Sequence, residues 1–511
     1  MEVNHSYKIH YKMVIRPVKS EPVLWGSLPA EIRLMIFKLV TRDRKRGWTS
    51  HAAVCKEWQF HIEKENFHQL KLRDSCLDYF NGIRPREHVR HIQFIIQLPE
   101  YSCLICNKKV PKASPGQSII GERIFRLLSI LATWKSATGG ITFELNAYSP
   151  SDSEHCFKHY WQLSDAVDPA KSTQGGNNDK VLPPLHDPEH GWNGGYQITK
   201  PTRSAVEEIF QTIDLGSRID FPQVNVVTCF IIRRQLRRSL RPSDIQRILC
   251  SFPQLERMVY EPWKAWSWYR GLQQDLQFTR LLQHGLPKNF RRLSVFQDFN
   301  EDIAAVTDPE WSYGSVYGLS HGLNLEYCID RVCRLFDLNL EEISLSFMVN
   351  AEDFFLESVP SRYWEPMPTG PWERLQSLSL TSKLLQPTTS RIDIDALLCR
   401  AGVCALRMPK LRTLVLWNGG RKVAAAFIYR LHRNDATITW RGTWQSKFSP
   451  QVIEAWRFVA STLHSMDLRI EKKQLIEETM IRSHGDAIYH LDLPTRVVEP
   501  ASLYQIRKEN R

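Results

Sequence analysis

A chain of 511 residues is too long for one compact core, so several domains or one extended repeat array is expected. With 42% hydrophobic and 24% charged residues it fits an ordinary soluble globular protein, and no apolar run approaches the ~18 residues of a membrane span; Val226–Ile232 is short and ends in Arg233. The net charge of +12 (67 Lys+Arg against 55 Asp+Glu) is a modest excess that permits an acidic partner without requiring one. The opening MEVNHSYKIHYKMVIRPVKS has no uninterrupted apolar h-region, so a secretory signal is not expected. Eleven scattered cysteines, an odd number, read as reduced thiols in the cytosol or nucleus.

The first patterned stretch runs from Trp25 to Leu72. Pro29 suits a first helical turn, where its missing N–H costs nothing. Ile32, Met35, Ile36, Leu39 and Val40 then recur at the spacing of an amphipathic helix. Glu31 at its start and Arg42, Arg44 and Lys45 past its end complement the helix dipole. Gly47 stops the pattern. Ser50 is an expected N-cap for a second helix carrying Ala52, Ala53, Val54, Cys55 and Trp58. Ile62, Phe67 and Leu70 continue the apolar series. So few short helices bury little surface alone and need a partner, either the rest of the chain or another protein.

Leu28-Pro29-Ala30-Glu31-Ile32, then Ile36-Phe37 and Leu39, then Val54-Cys55-Lys56-Glu57-Trp58, resembles an F-box. The likeness is to F-box proteins of filamentous fungi in particular, in which a Val-Cys-x-x-Trp-Gln segment precedes an Ile-Glu…Phe…Leu tail, here Ile62-Glu63, Phe67 and Leu70. Val89-Arg90-His91-Ile92 and Leu98-Pro99-Glu100-Tyr101 are similar to the same group. The resemblance implies a bundle, set at residues 22–72, that docks the adaptor subunit of an SCF-type cullin ubiquitin ligase. Leu28, Pro29, Ile32, Ile36, Val54, Cys55 and Trp58 would form much of that contact. The basic run Arg42–Arg46 departs from the acidic linker many F-boxes carry there.

Residues 73–220 read as irregular α/β units. Val89–Leu98 is dense in β-branched residues and reads as a strand, Gly121–Lys135 as a helix with Ile124, Leu127, Leu128, Leu131 and Trp134 on one side, and Ile141–Asn146 as a further strand. Cys103 and Cys106 form a lone CxxC. His155, Cys156 and His159 do not complete a familiar ligand pattern with it, so no metal is expected. Residues 164–195, rich in Ser, Asp, Gly, Asn and Pro, read as a mobile loop.

From 221 to 490 a segment of the form apolar-x-x-apolar-x-apolar recurs, starting at Leu255, Phe290, Leu340, Leu375 and Leu411, with a degenerate copy at Leu463. The first five starts are separated by 35, 50, 35 and 36 residues. Asp244–Ser251 and Asp393–Ala401 read as helices that Pro253 and Pro409 end. The pattern resembles an irregular leucine-rich-repeat array of strand–helix units, each longer than the usual ~20–29 residues and lacking the Asn ladder. An ordinary α/β domain with parallel strands is the alternative. In the array, Val259, Glu261, Ser294, Phe296, Ser344, Ser346, Ser379, Thr381, Val415 and Trp417 would face outward on the concave side. Of these Glu261, Phe296, Ser344, Ser346, Ser379, Thr381 and Trp417, with Trp266 from the loop after the first strand, are the candidate contacts to a target protein. Residues 491–511 read as a tail.

The expected fold class is therefore mixed α/β: a short F-box bundle followed by a leucine-rich-repeat-like solenoid. The expected role is non-enzymatic: the bundle docks the adaptor, and through it a cullin, while the array binds an unknown protein target. A non-ligase interaction scaffold is the alternative. There is no GxGxxG, Walker A or HExxH motif, and no cofactor is expected. Gly318-Leu319-Ser320-His321-Gly322 is formally GxSxG, but Ser312–Tyr317 before it is a poor strand for a hydrolase nucleophile elbow, leaving a serine hydrolase at Ser320 as a remote alternative. Arg233, Arg234, Arg237, Arg238, Arg241 and Arg247 form a basic cluster that could contact phosphate, recruit an acidic target or simply be a solvated face. With little aromatic interleaving, nucleic acid is not an expected partner. Nor is a membrane.

Overall fold

The computed structural model describes residues 25–43, 47–83, 86–102, 117–135, 139–157, 186–194, 196–216, 219–264, 278, 281–282, 286–300, 340–356, 372–471 and 474–509. Two compact units emerge, Met1–His68 and Gln69–Arg511. The boundary falls at 68/69 and not at 72, because Gln69–Arg73 is already the first strand of the second unit.

In the first unit, helix α1 (Ala30–Asp43) follows Pro29, with Glu31 in its first turn and Arg42 in its last. Gly47 has φ +88°, a left-handed conformation glycine adopts without cost, and opens a 3₁₀ turn over Trp48–Ala53. The second helix does not start at Ser50. The Ser50 hydroxyl donates to Gly47 O at 2.7 Å inside that turn, and α2 begins only at Lys56, ending at His68.

Among the described residues, the second unit is built on a thirteen-stranded open sheet. Its strands are β1 (Gln69–Arg73), β2 (His91–Gln97), β3 (Ile141–Tyr148), β7 (Val227–Ile232), β9 (Arg257–Tyr260), β10 (Arg292–Phe296), β11 (Glu342–Asn350), β12 (Ser377–Thr381), β13 (Thr413–Gly420), β14 (Val423–Leu431), β15 (Ala436–Gly442), β16 (Leu468–Ile470) and β17 (Gln474–Leu475). The short strands β4 (Trp192–Asn193), β5 (Tyr196–Gln197), β6 (Thr212–Ile213) and β8 (Ser239–Leu240) make two separate ladders. Neighbours in the large sheet follow chain order, and every pair from β1 to β13 is parallel. β13, β14 and β15 are antiparallel, and β16 and β17 pair parallel with β15. Sheet pairing thus begins at residue 69. Residue 221 is no boundary, since β3 and β7 are hydrogen-bonded neighbours.

The recurring apolar triplets are the strands, and the register aligns them. Leu70, Ile92, Phe143, Phe230, Met258, Leu293, Ile343, Leu378 and Leu414 are successive cross-strand partners. Phe252, just past α6 (Pro242–Cys250), packs on Phe143 and Phe230. Among the described residues, the other helices of the unit before residue 470 are α3 (Leu77–Asn81), α4 (Gln117–Ala132), α5 (Arg203–Ile209), α7 (Ala351–Leu356), α8 (Arg391–Ala405) and α9 (Pro450–His464). Trp456 of α9 packs on Phe427 and Tyr429, and its indole donates to Leu398 O of α8 at 3.0 Å.

The C-terminal part of the opposite face is covered as well. Helices α10 (His484–Leu491) and α11 (Pro500–Glu509) form a second core with it. There Ile476, Ile481, Ala487, Ile488, Leu491, Val497, Val498 and Ile506 pack with Phe296, Val415, Trp417, Ala424, Ala426 and Ile428. Residues 491–509 are therefore no loose tail. Small side chains allow the close approach: a Cβ on Gly419 would lie 2.5 Å from the Ala487 methyl. Of the expected 164–195 loop, 186–194 forms a 3₁₀ turn at Pro188–His190 and the β4 strand, and 164–185 lies outside the described residues.

Candidate docking surface and the closed edge of the sheet

The first unit holds itself together through aromatic rings. Phe37 is buried between Trp25, Trp58 and the His61 ring, with centroids at 5.3, 5.0 and 4.1 Å. Burial lowers the pKa of His61, so the stacked ring is neutral at physiological pH. Glu57 accepts from the Trp25 indole at 2.8 Å and pairs with Arg33 at 3.2 Å, tying α2 both to the segment before α1 and to α1 itself. This inner set leaves the amphipathic stripe of α1 facing outward: Ile32, Met35 and Leu39 are exposed, the last two at 58% and 62%. Val54 (62%), Cys55 and Pro29 are exposed too, whereas Leu28, Ile36 and Trp58 are half-buried. Trp58 packs on Trp25, Phe37 and His51, so it supports the bundle more than it offers surface. Leu34 and Phe60 are further exposed apolar groups that the sequence reading did not name. In the basic run, Arg42 is exposed and 44–46 lie outside the described residues.

The expected target contacts on the sheet are not open to a partner. Glu261, Phe296, Ser344, Ser346, Ser379, Thr381 and Trp417 are all buried, as are Val259 and Val415; Ser294 is half-buried. The reason lies in the alternation: the outward set includes Val259, Phe296, Val415 and Trp417, which are too apolar to stay solvated, and α10 and the chain around it cover the C-terminal part of that face. Among the described residues, the hydroxyls of Ser344, Ser346 and Ser379 have no hydrogen-bond partner there. Phe347, at φ +61° in a bulge of β11, donates its N–H to Thr381 Oγ1 at 2.8 Å and sets its ring against Phe296, Trp417 and His484. Trp266, Cys103, Cys106, His159 and Ser320 lie outside the described residues.

The basic cluster is also internal. Arg233, Arg234, Arg237 and Arg238 follow β7 and are buried, which corrects the phosphate-patch and solvated-face readings for them. Arg233 Nε donates to Glu144 at 2.6 Å, and Glu144 also takes His91 at 2.9 Å and Gln93 at 3.1 Å. Arg238 makes a bidentate pair with Asp152 at 2.6 and 2.8 Å, which holds its guanidinium pKa up despite burial. Arg241 and Arg247 lie nearer the surface: Arg241 meets Asp214 with 43% of its side chain exposed, and both reach the buried Asp244, at 3.5 and 3.1 Å.

Arg234 is the centre of a second network, with its side chain 2% exposed. Its Nε pairs with Asp298, while its two terminal nitrogens donate to Glu509 of α11 at 3.1 and 2.7 Å, and its plane lies 4.6 Å over Trp263. Asp298 also meets His484 Nε2 at 2.9 Å. Burial opposes its ionisation, but Arg234 and His484 together hold the carboxyl below its usual range. Glu261 accepts from Glu499 N at 2.6 Å, from Arg234 N at 3.2 Å and from the Ser502 hydroxyl at 2.5 Å. Burial nevertheless raises its pKa to about 7. The sequence shows Glu261 and Arg234 but not the Arg234 network, because Asp298 and Glu509 lie 64 and 275 positions from Arg234, and His484 lies 186 from Asp298.

Among the described residues, no cluster of three His, Cys, Asp or Glu side chains could hold a metal ion, and no helix is long and apolar enough to cross a membrane. The model of a family of unknown function (DUF6546) matches residues 285–499, which runs from just before β10 to the residue preceding α11. No curated protein matches the chain.

Proposed function

We propose that the chain is a substrate receptor of an SCF-type cullin ubiquitin ligase, acting in the cytosol or nucleus. The observation that carries this reading is the exposure of Ile32, Met35, Leu39, Val54 and Phe60 on a small unit whose own core is the Trp25–Phe37–Trp58 set. An apolar group of this kind on a unit with so little interior marks a surface made for another protein. It coincides with the stretch that resembles an F-box, which docks the ligase adaptor.

The second unit supports the target-holding half of the reading. Parallel strands in strict chain order, with apolar triplets aligned from β1 to β13, fit a leucine-rich-repeat-like solenoid in which each unit buries its core against its neighbours. A doubly wound sheet would instead reverse its strand order. Such a scaffold holds a target near a ubiquitin-charged enzyme and raises the effective concentration of its lysines, so no residue of this chain takes part in the chemistry. The test is co-purification with the adaptor subunit. A stable complex weakened by Leu28→Ala/Pro29→Ala supports the reading, and unchanged affinity removes it.

A further inference from the structure

Asp298, Arg234 and Glu261 stand just past the ends of β10, β7 and β9. In open α/β sheets ligands bind outside these carboxyl ends. Here the place is taken by one helix, α11, through a narrow set of side chains. Ser502 donates to Glu261, Ile506 enters the second core and Glu509 takes the free fork of Arg234. These three residues stand at i, i+4 and i+7, one stripe of a helix. Glu261 also accepts from Glu499 N, so a carboxylate sits at the positive end of the α11 dipole.

We propose that this edge of the sheet is a docking site for a helical protein segment bearing a hydroxyl, an aliphatic group and a carboxylate at i, i+4 and i+7, with α11 as its internal occupant. The chemistry selects that partner. The Nε side of Arg234 is committed to Asp298, which His484 shares, so two N–H groups remain for one incoming carboxylate. Glu261 and Asp298 flank the site, which disfavours a doubly charged phosphate and favours a single carboxylate. The family match ends at Glu499, leaving α11 outside the matched segment. As a site for ubiquitination targets this rests on the receptor reading above; its recognition chemistry does not, and its test touches no residue of the first unit.

The test uses the full chain and a fluorescein-labelled peptide of residues 496–511, read by anisotropy. In cis, α11 competes at an effective concentration in the ~mM range, so the wild-type chain binds the peptide weakly. Ser502→Ala/Glu509→Gln weakens the internal occupant. So does Gly485→Ala, whose new methyl would sit 2.6 Å from Ile506 Cγ2. Both should bind the wild-type peptide at least ~10-fold tighter than the wild-type chain does, and a peptide carrying Glu509→Gln should lose at least ~10-fold on them. Equal weak binding by all three chains, or indifference to the peptide's Glu509, overturns the proposal. Hydrogen exchange on the unaltered chain decides independently of variant folding. Amides of α11 should open at least ~10-fold more often than those of α10, and opening of the two helices as one unit overturns it.

Discussion

Arg234 and Arg241 lie seven positions apart in one basic run, and the structure assigns them opposite energetic roles. Arg234→Met removes the guanidinium shared by Asp298 and Glu509, whose side chains are 0% and 3% exposed. Removing one partner of a buried pair costs about 3–5 kcal/mol, because the other charge stays buried and unpaired. Taking an unfolding entropy of ~2.1 cal/mol/K per residue over Gln69–Arg511, this lowers the melting temperature of that unit by about 3–5 °C. Arg241→Met removes a half-exposed pair with Asp214 and a longer contact to Asp244, which keeps Arg247 at 3.1 Å, and should cost under ~1 kcal/mol, about 1 °C. Differential scanning calorimetry of the full chain reads both. The pH dependence has a definite sign. Asp298 is held below its usual range, so its contribution is present above its unfolded pKa and is lost as pH falls through its folded one. The gap between wild type and Arg234→Met therefore narrows in acid. An Arg234→Met shift within 1 °C of wild type, or an equal shift for Arg241→Met, would refute the assignment of this run to the interior.

Two further outcomes follow from the same contacts. Glu261, raised to about 7, faces Arg234 and Glu499, with Asp298, His484 and Glu509 one contact beyond. A carboxyl with a raised folded pKa stabilises most below its unfolded value, so closure of α11 should weaken about tenfold between pH 6 and 8, measured by hydrogen exchange corrected for intrinsic rates. Glu261→Gln should flatten that profile, and an unchanged slope would show that another group sets it. Gly419→Ala drives a methyl into Ala487 where helix and sheet backbones both resist, and should cost about 1–3 kcal/mol of thermal stability; a neutral result would mean that α10 does not sit as closely on β13 as described.

The strands were legible because their signal is local. Leu293-x-Val295, Leu378-x-Leu380 and Leu414-x-Leu416 each carry the period of a pleated strand, and the parallel register places them side by side. The same alternation was misleading for the other face. Leu414-Val415-Leu416-Trp417 is apolar at every position, the mark of a strand buried on both sides, so Val415 and Trp417 needed a cover. That cover comes from residues 476–506, whose short helices show little pattern before the sheet is in place. The Arg233–Arg238 run was misjudged for a related reason. Burial of a charge depends on counter-charges such as Asp152, Asp298 and Glu509, which are distant in sequence. In the first unit the stripe of α1 was read correctly from its spacing. The sequence could not show that Phe37, between stripe positions, is the side chain that turns inward.

Isothermal titration of the full chain with the purified ligase adaptor tests the receptor reading most directly, with Val54→Asp as the decisive variant. Val54 is exposed and packs into no core, so the substitution leaves the helices intact, whereas a change at Trp58 would disturb Trp25 and Phe37. A charge at the centre of an apolar contact should lower affinity at least tenfold, about 1.4 kcal/mol or more, with an unchanged helical signal in circular dichroism. A wild-type chain that does not bind the adaptor, or a Val54→Asp chain that binds it equally well, would contradict the account.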